Sequence, residues 1–257
     1  MKISLDNETL TIDNILDRLF ELYDHTFEFA QKHNKNIQFE LGTEEQNGYG
    51  QDLDQFEYFL HRTQDFCKKY KIQKPTFVVA QTGTKVMEMQ NIGIFKDDIL
   101  SNQYLSLEHI KQTLDICDKY DIMLKEHNTD YLSYEALSLR PILGIHASNV
   151  APEFGVVETK GLLYLLNTFG YKKEFDLFIE TALASKKWEK WMLTNSKATT
   201  LDKAIICGHY IFSNEQIKQM KEKVSLELYK KNINLDEYLK RLIKQSMLKY
   251  IQLFNMV

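Results

Sequence analysis

Cysteine is scarce in this chain: Cys67, Cys117 and Cys207 lie far apart and form no CxxC pair. That excludes a cysteine zinc cluster and fits a reducing compartment. Proline is equally scarce, with three residues, and no proline-rich or low-complexity stretch marks a linker. No run approaches the ~18 apolar residues that suggest a membrane-spanning helix. The opening MKISLDNETL lacks the apolar core of a secretion signal. A cytoplasmic protein without a membrane partner is the expectation. An excess of positive charge is missing as well: 32 Lys and Arg stand against 36 Asp and Glu, a formal charge of −4. Nucleic acid is therefore not expected as a partner. Stretches such as KKYKIQK and KKNINLDEYLKRLIKQ read as solvated helix faces. With no Walker loop, GxGxxG or GxSxG, nucleotide binding and serine hydrolysis have no support.

What is present is a core. The 257 residues are 44% hydrophobic, enough for one domain or a domain with an appendage. Short β-like runs, KISL (2–5), IQFELG (37–42), TFVVAQ (76–81), DIMLKE (121–126) and PILGIH (141–146), alternate with helix-period segments. The first of those segments, TIDNILDRLFELYDHTFEFAQKH, carries a broad apolar stripe, and LDQFEYFLHRTQDFCKKY and LEHIKQTLDICDKY follow the same pattern. Thr11 and Ser106 stand where helix N-caps are expected. Such alternation implies an α/β fold of parallel strands joined by right-handed crossovers. After residue 170 the pattern is helical only, so the expected organisation is an α/β part over 1–170 and a helical C-terminal extension over 171–257.

In parallel α/β folds functional groups gather where strands end. Here FEL is followed by GTEEQNGYGQ, FVVA by QTGTKVMEMQN, IMLK by EHNTDY, and ILGI by HASNVAPEFG. Each loop is polar and carries glycine or histidine, and together they suggest one binding or catalytic rim. His127 and His146, 19 residues apart, each follow an apolar run. His25, His33, His61 and His109 fall within helical stretches and read as surface or packing residues, and His209 reads as structural.

The ordered set FELGTEEQNGYG, VVAQTGTKV, KEHNTDYLS and LGIHASNVAPEFGVVETKGLLYLL resembles the non-catalytic subunit family of class II tagatose-bisphosphate aldolases. The element His-x-Thr-Asp-Tyr, beginning at His127, is its most specific part, and the resemblance runs from residue 1 to about 195. It implies a TIM-type (β/α) barrel. Five countable strands are too few to close one, so a partial barrel of about five parallel strands is expected. In the family the strand matching KISLD is an interior one, and the units ahead of it, about three of them, carry a Gly-Gly-Asp-His loop that this chain lacks. Either a second polypeptide or copy completes the barrel, or the chain is a shortened gene product. The first reading makes KISLD an exposed or partner-covered edge.

The resemblance also implies a divalent metal, Zn²⁺, Mn²⁺ or Fe²⁺, with Glu44, His127 and His146 as candidate ligands. Hydrogen bonding across the strand ends is the other reading of Glu44 and His127. His146 stands where the family carries glycine, and it is a candidate for acid–base work as well as for metal, or else a histidine bonded to backbone. Asp130 is the second catalytic candidate. Gln81, Gly83, Lys85, Ser148 and Asn149 are candidates for binding a phosphorylated sugar, since glycine lets backbone N–H groups approach an anion. Three functions are open. The chain is an accessory aldolase component in carbohydrate metabolism, joined to a catalytic aldolase subunit or to itself. Alternatively it is an active metal-dependent sugar-phosphate lyase or isomerase, or a non-enzymatic vestigial part-barrel.

Overall fold

The computed structural model describes residues 11–42, 50–94 and 105–255. It forms two compact units, each gathered from several segments. The first takes 1–85, 92–129 and 139–149; the second takes 86–91, 130–138 and 150–257.

The first unit opens with helix α1 (Ile12–Lys32). Thr11 caps it as expected: its hydroxyl accepts from the Asn14 N–H and the Asn14 side chain answers its backbone N–H, closing a capping box. Leu16, Phe20, Tyr23 and Ala30 recur at helical spacing and are buried. Strand β1 (Glu40–Gly42) leads to α2 (Leu53–Tyr70), whose first turn is capped by Asp52. Strand β2 (Phe77–Ala80) follows. A hairpin of β3 (Val86–Met87) and β4 (Gln90–Asn91) belongs to the second unit. Helix α3 (Leu105–Tyr120) then precedes β5 (Met123–Glu126), and α4 (Tyr134–Leu143) precedes β6 (Ala147–Ser148). Ser106 falls inside α3 rather than ahead of it.

β1, β2, β5 and β6 form one sheet in that order, every pair parallel. The chain thus adds strands to one side without reversing. Side chains alternate across the sheet: Leu41, Val78, Ala80, Leu124 and Glu126 are buried, while Glu40 and Met123 are exposed. The expected first strand, KISL, lies outside the described residues.

One expected strand is corrected. In PILGIH, Pro141–Leu143 form the last turn of α4, and the strand begins only at Ala147. The helical register puts Ala136, Leu137 and Arg140 on one buried face. Gly144 then stops the helix at φ +86°, where a side chain is strained. Its N–H donates to Pro141 O and that of Ile145 to Arg140 O, a Schellman closure.

The second unit is helical: α5 (Pro152–Thr168), α6 (Lys172–Ala184), a 3₁₀ turn (Glu189–Trp191), α7 (Thr200–Cys207), a second 3₁₀ turn (Gly208–Ile211), α8 (Glu215–Tyr229) and α9 (Leu235–Leu253). Its core gathers Leu162, Leu166, Phe178, Ile217, Leu228 and Leu239. Helix α5 contributes Val156, Leu162, Leu163, Leu165 and Leu166 to this core. Gly161 lets the Leu242 side chain approach to where a Cβ would sit 2.5 Å away.

Candidate functional site

The ends of three strands in the first unit align. Ala80 pairs with Glu126 and Glu126 with Ser148, so Gln81, His127 and Asn149 form the next row. Backbone bonds carry the ladder into that row: His127 N–H donates to Ala80 O and Asn149 N–H to Glu126 O. The Gln81 side-chain amide lies 3.2 Å from His127 Nδ1. In this pairing the amide nitrogen donates and Nδ1 accepts. Gln81 is 5% exposed, and its Oε1 is buried with no hydrogen-bond partner among the described residues. A buried acceptor left unpaired is costly, which makes it a place where a ligand hydroxyl would be favoured.

The loop after β2 is fixed to this row. Gly83 takes φ +85°, and the Thr84 hydroxyl donates to the carbonyl of His127. Gly93 packs so closely on this loop that an added Cβ would meet Gly83 O at 1.9 Å. Gln51 accepts from the Gln81 N–H at 3.2 Å. Of the candidate binding residues, Gln81, Gly83, Ser148 and Asn149 are thus placed at or beside the strand ends, with Lys85 two residues beyond Gly83.

Beneath the row lies an ion pair: its carboxylate, Glu126, precedes His127 and is read in the sequence as a further group that could serve a metal, while its arginine, Arg140, is not singled out there. Glu126 and Arg140 are both fully buried, joined side-on by Arg140 Nε to Oε2 at 2.9 Å and Nη2 to Oε1 at 3.1 Å. The hydroxyls of Thr82 and Thr129 donate to the same carboxylate. Every Glu126 oxygen is therefore engaged, as a buried charge requires. The available signal was an arginine inside the apolar run EALSLRPIL.

Of the readings open for His146, the structure shows the backbone-bonded one. It is exposed beside edge strand β6, where its N–H donates to Leu124 O and its Nδ1 accepts from the Leu124 N–H at 3.2 Å. That puts it level with Leu124, three residues short of His127, or ~10 Å along a strand. The two histidines are not brought together. Glu44 lies outside the described residues. Among the described residues no three His, Cys, Asp or Glu side chains are close enough to share a metal ion.

Asp130 belongs to the second unit, where it is 2% exposed. Its Oδ1 accepts from the N–H groups of Ala151 at 3.0 Å and Glu153 at 2.9 Å, closing the first turn of α5. Burial pushes its carboxyl up to about 6, against the pull of those two N–H bonds. Glu153 is the second buried acid. It accepts from Tyr131 N–H at 2.7 Å, from Lys249 Nζ at 2.7 Å, from Ser246 Oγ at 3.3 Å and from the Tyr250 hydroxyl. Burial opposes its ionisation, but Lys249, Tyr250 and the Tyr131 N–H outweigh that and hold it below the usual carboxylate range. Both acids tie chain segments together. Of the other histidines, His109 packs on Gly50 and His209 on Gly155, and burial lowers the pKa of both rings.

No protein-family model matches the chain, and no curated protein is similar to it in sequence. Solved structures are similar in fold. A probable tagatose 6 phosphate kinase from Sinorhizobium meliloti 1021 superposes with a TM-score of 0.66 at 12% identity, over 98% of this chain and 71% of that one. The fructuronate-tagaturonate epimerase UxaE from Cohnella laeviribosi superposes with a TM-score of 0.60 at 9% identity, over 95% of this chain. The chain spans about half the epimerase's length, 51%.

Proposed function

We propose that this chain is a component of a sugar-phosphate aldolase, an accessory subunit that binds a phosphorylated sugar at its strand ends without cleaving it. The observation that carries the reading is the row Gln81–His127–Asn149, with the unpartnered Oε1 of Gln81 beside His127. A polyol offers hydroxyls that donate, and this row offers them the buried acceptor Gln81 Oε1. The glycine-containing loop ahead of Lys85 suits a phosphate, whose oxygens accept backbone N–H groups.

The sheet supports a partial TIM-type barrel. Parallel strands added in chain order, with no reversal, are the pattern of a barrel wall rather than of a doubly wound sheet. Both structural neighbours are named for the handling of sugars or sugar acids. Turnover is not part of the proposal. Asp130 caps a helix, the ring of His146 is bonded to backbone, and no metal-ligand set is assembled among the described residues.

Calorimetric titration with tagatose 1,6-bisphosphate tests the reading. Binding is expected, weaker for unphosphorylated tagatose, and reduced roughly fivefold in Gln81→Ala, since one good neutral hydrogen bond is worth about 1 kcal/mol. Equal heats for the wild-type chain and the Gln81→Ala variant would remove the row from the site.

A further inference from the structure

Helix α1 carries two apolar rows, and only one faces the core. The inner row is held by Phe20 stacked on Phe66, centroids 4.6 Å apart, and by Tyr23 edge-on to Phe39. The outer row is Ile15, Leu19, Leu22, Thr26 and Phe29, at alternating spacings of four and three, the repeat of a helix–helix seam. Ile15, Leu22 and Phe29 are 41%, 57% and 65% exposed. They stand one above another along ~21 Å of helix. Single exposed apolar side chains are ordinary, but an aligned row is not.

Local bonding prepares the row for contact. The Thr26 hydroxyl donates to Leu22 O at 2.7 Å, so its hydrogen is used within the helix. Phe29 is stacked against His33 at 4.2 Å, and His33 Nδ1 lies 2.9 Å from Phe29 O. Both interactions reduce the freedom that would be lost on binding.

The row has a charged border. Arg18 and Lys32 follow Ile15 and Phe29 by three positions each, with His25 at the same offset from Leu22, so two fixed positive charges mark a basic line along its outer side. Asp13 and Asp17, the acids nearest the start of the helix, are already paired with Arg62 of α2. Glu21 and Glu28 lie farther round the helix from the apolar row. A two-fold pairing of α1 with a second copy would set the basic line against itself, which is unfavourable.

We infer that this face of α1 docks an amphipathic helix of another protein, one with apolar residues at seven-residue spacing bordered by Glu or Asp. The inference is independent of the strand-end row and stands whether or not that row takes a sugar. Its test uses the full chain and two synthetic three-heptad peptides with leucine seams, one bordered by glutamate and its twin by lysine, followed by fluorescence anisotropy. The glutamate peptide is expected to bind at least ~10-fold tighter than its twin at low salt, with the gap narrowing as salt rises. Leu22→Asp should abolish binding, as should Phe29→Ser, the second variant in case the first unfolds. Arg18→Glu with Lys32→Glu should invert the preference between the peptides. Equal binding of the twins, or unchanged binding by both seam variants, would overturn the inference. So would a dimer of the chain alone that Leu22→Asp dissolves, or preferential capture of the chain by anionic lipid vesicles over the glutamate peptide.

Discussion

Arg140 and Glu126 hold the first unit together below its strand ends, and their geometry sets a stability prediction. Removing one member leaves a buried charge alone, which costs about 3–5 kcal/mol, whereas replacing both with apolar residues of similar size is often neutral. Arg140→Met should therefore lower the denaturant midpoint sharply, and Glu126→Leu combined with Arg140→Met should restore much of it. A double variant no better than the single one would show that the packing, not the charge, is at fault. Asp130 gives a pH prediction. Its carboxyl titrates near 6 in the fold and near ~3.9 when unfolded. The fold holds that proton more tightly, so its contribution is full below ~pH 4 and is lost as pH rises through about 6. Glu153, whose value is lowered, contributes in the opposite sense, losing its effect as pH falls through its folded value. Asp130→Asn should remove the decline in thermal midpoint from pH 4 to 6 that Asp130 causes, and an unaltered slope would contradict this. At this scale the sequence was partly legible. That Gln81 and His127 stand at strand ends was readable because each follows an apolar run. The work of Asp130 was not, because its partners are backbone N–H groups more than twenty residues on, at Ala151 and Glu153.

Among the elements, α2 was legible from residue 53 to residue 70 because its apolar residues recur at helical period. PILGIH was misread because a short apolar run does not distinguish a strand from a buried helical turn. The deciding feature was Gly144, which closes α4. Gly144→Ala should cost about 1–2 kcal/mol, the price of placing an L-residue in the left-handed region. Urea unfolding checks it, and a neutral result would mean the turn relaxes to another closure. The hairpin of β3 and β4 was missed because two-residue strands bury too little to leave a pattern.

For the whole molecule, strand–helix alternation correctly implied parallel strands, and four of them are described in one sheet. The two compact units were not legible as such, because each is assembled from segments distant in sequence. An accessory role makes a claim about turnover that neither the sheet nor the row can make alone. Aldol cleavage needs acid–base help, typically worth ~10²–10⁴-fold, and a Lewis acid to hold the enediolate. The most direct measurement is a tagatose 1,6-bisphosphate cleavage assay with added Zn²⁺ or Mn²⁺ in three arms: this chain, a catalytic class II tagatose-bisphosphate aldolase subunit, and the two together. The account predicts no turnover by the chain alone and a longer-lived or higher activity for the pair than for the catalytic subunit by itself. Robust turnover by the chain alone that disappears in His127→Ala or His146→Ala, or a pair indistinguishable from the catalytic subunit, would contradict it.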